Sequence, residues 1–172
     1  MLLDKFLPTY DVHARYASNL PAPPERVYPL ARDLDWSRSP LVRWLVVLRG
    51  LGQTEVKLIQ TDPQRAVFMV LGEEPDQELV VGMVGRFWLP TAEMLRVSPA
   101  EYKDFARPGY AKMAMNFLAE PVPGGRCRLS TETRVLCLGP RARRCFRLYW
   151  SLIGPFSGLM RKEALRLVRR QL

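Results

Sequence analysis

The stretch from Pro140 to Leu172 limits the fold of this chain more than any other. Phe146, Tyr149, Trp150, Ile153, Phe156, Ser157, Met160, Ala164, Leu167 and Val168 recur in it at three- and four-residue steps, the spacing that gathers side chains on one face of an α-helix. Nine of the chain's 26 Lys and Arg residues lie here (Arg141, Arg143, Arg144, Arg147, Arg161, Lys162, Arg166, Arg169, Arg170) with one acid, Glu163, so this stretch holds +8 of a formal +9. Elsewhere the 17 remaining bases (26 − 9) nearly cancel the 16 remaining acids (17 − 1). A long helix is expected, with one face buried and the arginines on the solvated side. Gly154-Pro155 removes a backbone hydrogen bond and crowds the preceding turn, so a kink of more than ~20° is expected within one helix rather than a break into two.

Such a helix needs an apolar partner, and the middle of the chain supplies a sheet. Tyr10 to Leu20 alternates as a strand. APPERVYPLARDLD then has the apolar spacing of a helix with proline in its first turn, and Pro29 is tolerable only near that turn. SPLVRWLVVLRGLG reads as a second short helix, capped by Ser39 and stopped at Gly50 and Gly52. From Thr54 onward strands follow one another: Glu55 to Gln60, Ala66 to Leu71, Gln77 to Phe87, Gly109 to Ala119 and Arg126 to Leu138. The short turns between them, TDPQ, EEPD and PVPGG, imply an antiparallel meander. Residues 88–108 read as a short strand around Met94 and Leu95 followed by a mobile loop, although SPAEYKDF has the look of a capped helical turn. In the last two strands Cys127, Leu129, Thr131, Thr133, Val135 and Cys137 share a face with Ala111, Met113, Met115, Phe117 and Ala119, and this face is expected inside. Gly82 and Gly85 are expected to leave room beneath the helix.

At 172 residues, 48% hydrophobic and 25% charged, the chain reads as one ordinary globular domain spanning residues 1–172. Its apolar stretches, Leu41 to Leu51 and Leu148 to Met160, fall short of the ~20 residues of a membrane span. The start, MLLDKFLPTYDV, lacks the basic region and cleavage site of a secretory signal, and a cytoplasmic location is expected. Cys127, Cys137 and Cys145 are an odd set of three, read as reduced thiols. The first two are ten residues apart on one strand, some ~33 Å at ~3.3 Å per residue, too far to bond. The one histidine, His13, is remote in sequence from all three, so no metal is expected, and no cofactor either. No GxSxG, HExxH or Gly-rich phosphate loop is present.

Four blocks carry a family resemblance. LPAPPERVY resembles the passage after the first strand in bacterial members of the SRPBCC (START and pollen-allergen-like) superfamily, and TETRV resembles their last strand. ARDLDWSRSPLVRWLVVLRGLG and FRLYWSLIGPFSGLMRKEALRLVRR resemble an uncharacterised bacterial branch of it. The resemblance implies the α+β helix-grip fold: a curved antiparallel sheet wrapped around a long C-terminal helix, with two short helices after the first strand. It also implies a cavity between sheet and helix for a small hydrophobic or amphipathic molecule, lipid or polyketide-like.

The residues expected to line that cavity are Tyr16, Ser18, Met113, Met115, Phe117, Thr131 and Thr133 from the strands, and Tyr149, Trp150, Ile153, Phe156, Ser157 and Met160 from the helix. By pattern alone the same set serves as a filled core; the resemblance favours a pocket. The family includes polyketide cyclases, so an enzyme of cyclase or dehydratase type is the alternative. It would need an ionisable group in the cavity; the candidates are Tyr16, Tyr110, Tyr149, Glu93 and His13. Glu93 and Asp104 otherwise read as loop charges, and His13 has the strand parity of a solvated residue. The basic helix admits a third reading, weak contact with an anionic membrane surface. Specific nucleic acid is not expected, because no aromatic residues interleave with the arginines for base stacking.

Overall fold

A computed structural model describes residues 1–35, 39, 68–89 and 93–172. Six strands among them, β1 (Val12–Leu20), β2 (Met69–Glu74), β3 (Glu78–Arg86), β4 (Glu93–Leu95), β5 (Ala111–Val122) and β6 (Arg126–Cys137), form one antiparallel sheet. Its order is β1-β6-β5-β3-β2, and β4 pairs with β3 beyond the end of β2. The helices are α1 (Leu2–Phe6), α2 (Pro24–Arg32), α3 (Pro99–Asp104) and α4 (Pro140–Arg169). The curved sheet wraps α4 in the expected helix-grip arrangement. The expected helix from Ser39 to Gly52 and the strand from Glu55 to Gln60 fall outside the described residues, apart from Ser39.

Local chemistry accounts for most of these elements. Pro24 opens α2, and Val27, Tyr28 and Ala31 bury its apolar face. Pro29 stands in the second turn, exposed, and the helix continues past it to Arg32. Gly124 and Gly125, at φ +84° and +67°, make the β5–β6 turn in the left-handed region that other residues enter at a cost. α4 is one continuous helix of 30 residues with Pro155 inside it. No helix among the described residues is long and apolar enough to cross a membrane.

The odd positions of β5 and β6 face α4 as the alternation predicts, with Met115, Phe117, Cys127 and Leu129 packed against Ala164, Leu165, Leu167 and Val168. Cys127 and Cys137 are both buried and free, at opposite ends of β6. Burial pushes their thiols up, to about 11 and about 12, which leaves them poor nucleophiles at neutral pH.

The other face of the sheet differs from expectation. Lys112, Asn116, Glu132 and Arg134 alternate with the inward residues of β5 and β6 and would be expected in water, yet all are buried. α1 and α3 cover them. Arg134 donates to Glu132 Oε1 at 2.7 Å, to Asp4 Oδ1 at 2.8 Å and to the Leu7 carbonyl at 3.1 Å. Glu78, only 1% exposed, accepts from the backbone N–H groups of Leu2 and Leu3 at 2.6 and 3.2 Å and from Asn116 Nδ2 at 2.7 Å. The N-terminus therefore straps the back of the sheet through polar groups that a solvated strand would have left to water.

β4 is the short strand expected around Met94 and Leu95, and α3 replaces the loop expected after it. Ser98 and Glu101 form a reciprocal capping box, Glu101 N–H to Ser98 Oγ at 3.2 Å and Ser98 N–H to Glu101 Oε2 at 2.6 Å. The cap nucleates a short helix whose Tyr102 is fully buried against β3 and β5. Gly82 and Gly85 do not open space under α4. A Cβ on Gly82 would meet Leu71 Cδ1 at 2.6 Å, and one on Gly85 would meet the Glu93 carbonyl at 2.5 Å. The space that these glycines leave is already taken, by β2 and by β4.

Candidate ligand site under the long helix

The strand register lays inward side chains out in rows across the sheet. One row reads Tyr16, Thr131, Phe117, Leu79; the next reads Ala14, Thr133, Met115, Val81; the third reads Val12, Val135, Met113, Met83. The wall beneath α4 is thus apolar at its β3–β5 side and carries hydroxyls at its β1–β6 side.

α4 is anchored to this wall at both ends. Near its start, Phe146 is 2% exposed, stacked on Trp150 with ring centroids 5.7 Å apart and edge-on to Phe87 and Trp88 at 6.4 Å each. Near its end, Ala164, Leu165, Leu167 and Val168 close against β5, β6 and α2. Between Phe146 and Gly158 no residue of the helix is buried. Tyr149, Trp150, Ile153 and Ser157 are half-buried, and so are Ala14, Tyr16, Ser18 and Met113 on the facing wall. Solvent therefore reaches the middle of α4 and the β1 flank of the grip, while Thr131, Thr133, Met115 and Phe117 beneath stay buried. Gly158 ends this stretch: the Tyr16 hydroxyl packs so close to it that a Cβ there would collide with Tyr16. Met160 is half-buried and packs against the neighbouring core.

Arg161 departs most from expectation. Counted among the solvated arginines, it is 7% exposed and lies inside the grip. Its Nη1 meets Met115 Sδ at 2.7 Å and Thr131 Oγ1 at 3.5 Å; among the described residues its Nε has no partner, and neither does Thr133 Oγ1. No carboxylate among the described residues pairs with it. Burial lowers its pKa to about 10, against an opposing contribution from Tyr16. A guanidinium with five donors is rarely left in apolar surroundings without an anion, because burial of a lone charge costs several kcal/mol. The signal was in the sequence: Arg161 follows Ser157 by four residues and precedes Ala164 by three and Val168 by seven. Its helical phase is that of the inward stripe.

The other sequence candidates divide. Thr131, Thr133, Met115 and Phe117 are buried in the wall under α4. Phe156, expected in the pocket, is 43% exposed, in line with Leu148, Leu152 and Leu159 at 71%, 67% and 38%. The apolar arc of α4 is wider than the sheet can cover, so a second apolar strip lies in solvent beside the basic residues. Tyr110 and Glu93 come together, hydroxyl to Oε1 at 2.8 Å, with Arg86 stacked on the Tyr110 ring. That group packs with Phe105 on the α3 side of the sheet. His13 is exposed beside Tyr10. Asp104 borders a surface hollow lined by Val97, Ala100, Glu101 and Phe105, also on the α3 side.

No protein-family model and no curated protein matches this chain. Among solved structures, a conserved protein from Geobacillus kaustophilus aligns over 93% of this chain and 94% of its own, at 11% identity and a TM-score of 0.46. A protein from Mesorhizobium loti aligns over 92% and 98%, at 17% identity and a TM-score of 0.43. The Zhui aromatase/cyclase from Streptomyces sp. R1128 aligns over 93% and 92%, at 12% identity and a TM-score of 0.34. Likenesses of this size carry no chemistry from one chain to another, and the site is read from its own residues.

Proposed function

We propose that the protein binds a small hydrophobic or amphipathic molecule between the sheet and α4, as a carrier or sequestering protein. The observation that carries this reading is the incompletely buried middle of α4. A helix that served only as a core element would bury its inward stripe throughout, yet burial lapses from Phe146 to Gly158 while both ends are sealed. The half-buried lining is mostly apolar with a few hydroxyls, the usual character of a small-molecule site. Of the five ionisable candidates, Tyr110 and Glu93 are paired on the far side of the sheet and His13 is exposed; the lining keeps two tyrosines, Tyr16 and Tyr149, but no carboxylate or imidazole of that set, which favours binding over cyclase-type turnover.

Native mass spectrometry of protein purified without detergent, followed by thermal melting with long-chain fatty acids, sterols and planar aromatics, tests this. One class should give a bound mass. A ligand at a hundredfold excess over its Kd stabilises by about 2.7 kcal/mol, a rise of roughly 5–10 °C for a chain of this size. Neither adduct nor shift with any class would sink the proposal.

The outward strip of α4 favours a second reading, in which the loaded protein rests on an anionic membrane surface. Leu148, Leu152, Phe156 and Leu159 run along the helix among exposed Arg141, Arg144, Arg147, Lys162 and Arg169. That combination suits the headgroup region, where each base is worth about 1 kcal/mol near an anionic leaflet. Co-sedimentation with phosphatidylserine-containing vesicles is expected at low salt, reduced by Leu152→Asp and by high salt. Protein left in the supernatant at low salt rules this reading out.

A further inference from the structure

Building on the carrier reading, we infer that the bound molecule is a carboxylic acid, with its apolar body in the middle of the grip and its carboxylate on the guanidinium of Arg161. Arg161 is buried, points into the space between sheet and helix, and lacks an anionic partner among the described residues. Its present neighbours are a thioether, a weak acceptor, and a hydroxyl at the limit of hydrogen-bond reach, and neither is an anion. Two polar atoms on this wall have no hydrogen-bond partner among the described residues, Arg161 Nε and Thr133 Oγ1, and Thr133 is the cross-strand neighbour of the Met115 that Arg161 touches. Thr131 and Thr133 stand two residues apart on the inward face of β6. An oxyanion against the guanidinium edge would satisfy Nε by a paired N–H···O contact and give the Thr133 hydroxyl an acceptor.

The charge selects among anions. Within the buried lining Arg161 is the one cationic side chain among the described residues; Lys162, over the Tyr16 ring at 5.7 Å, is exposed. A single buried guanidinium neutralises a monoanion, whereas a phosphate monoester would bring a second negative charge with no buried partner. The apolar body is required by the rest of the lining, Met113, Trp150 and Ile153, which a small polar acid would leave unfilled. The inference also explains why a costly residue stands here: the ligand supplies the counter-ion, and the empty protein carries the strain.

The experiment measures Kd at neutral pH for a long-chain fatty acid, its methyl ester, the matching alcohol and the matching alkyl phosphate, on wild type, Arg161→Met and Arg161→Lys. Wild type is expected to favour the acid over the ester and alcohol by on the order of thirtyfold, and to bind the alkyl phosphate more weakly than the acid. Arg161→Met should bind acid, ester and alcohol alike, with the alcohol no weaker than in wild type. Its melting temperature without ligand should equal or exceed that of wild type, because an unpaired buried charge has been replaced by a side chain of similar volume. A structural arginine would instead make Arg161→Met melt well below wild type with the acid preference intact, and that result overturns the inference. Ester and alcohol binding as tightly as acid also overturns it while leaving the carrier reading in place; tighter binding of the phosphate overturns the choice of carboxylate. Binding of none of the four, with sterols or aromatics bound instead, removes the acid but not the carrier. Should Arg161→Met fail to fold, Arg161→Lys decides: it keeps the charge, loses the planar fork, and is expected to keep only part of the acid preference.

Discussion

Glu78→Ala is expected to release the N-terminal strap from the back of the sheet and to lower stability by about 3–5 kcal/mol, since each buried donor left without an acceptor costs about 1–3 kcal/mol. Three donors depend on that carboxylate: the N–H groups of Leu2 and Leu3 and the amide of Asn116. Urea denaturation measures the loss, and hydrogen exchange should show the amides of α1 unprotected before the rest of the protein opens. A cost below about 1 kcal/mol would mean that water replaces the carboxylate, contrary to its burial. The same strap should weaken in acid. The Arg134 guanidinium hydrogen-bonded to Asp4 holds its carboxyl below the ordinary 3.8. A depressed folded-state pKa contributes stability that is full above the unfolded value and is lost as pH falls through the folded one. Loosening of α1 should therefore begin near pH 4 and grow as the pH drops, and Asp4→Asn should remove that part of the pH dependence. Because Asp4 is half exposed to solvent, its share is small beside that of Glu78.

Phe146→Ala should cost about 3–5 kcal/mol, the range for deleting a buried aromatic ring from a core. The ring is the hub at which Phe87, Trp88, Tyr149 and Trp150 meet, and it fastens the first half of α4 to the sheet. Its loss should also shift the fluorescence of Trp88 and Trp150 and weaken ligand binding, because the helix start would no longer hold the gap at its width. Leu148→Ala, on the same helix two residues away but 71% exposed, should change stability by less than about 0.5 kcal/mol. Equal costs at the two positions would show that α4 does not sit on the sheet by the face described.

Much of the site was legible because its signals are local. Alternation in β5 and β6 assigns Met113, Met115, Thr131 and Thr133 to one face whatever they pack on, since successive strand side chains point to opposite sides. The three- and four-residue steps of α4 do the same for Trp150, Ile153 and Ser157. Arg161 shares that phase and was set aside by residue type: a charge was assigned to water although its position on the helix placed it inside. Phe156 shows the converse, an apolar side chain counted inward that lies beyond the arc the sheet can reach. The capping box at Ser98 and Glu101 was likewise visible, and a helix of six residues follows from it.

By itself the sequence determined the succession β1, α2, β3, β5, β6, α4, the handing of their side chains to one face or the other, and the concentration of charge on the last helix, all of which depend on neighbours a few residues away. Tertiary structure alone decided which faces are covered. Glu78 is buried because Leu2 lies over it 76 residues away in the chain, and Arg134 because Asp4 reaches it across 130. Those partners carry no local pattern. A side chain's exposure depends on what the rest of the chain brings against it, and for the same reason only the folded molecule could show Arg161 buried in the grip with no anion beside it among the described residues.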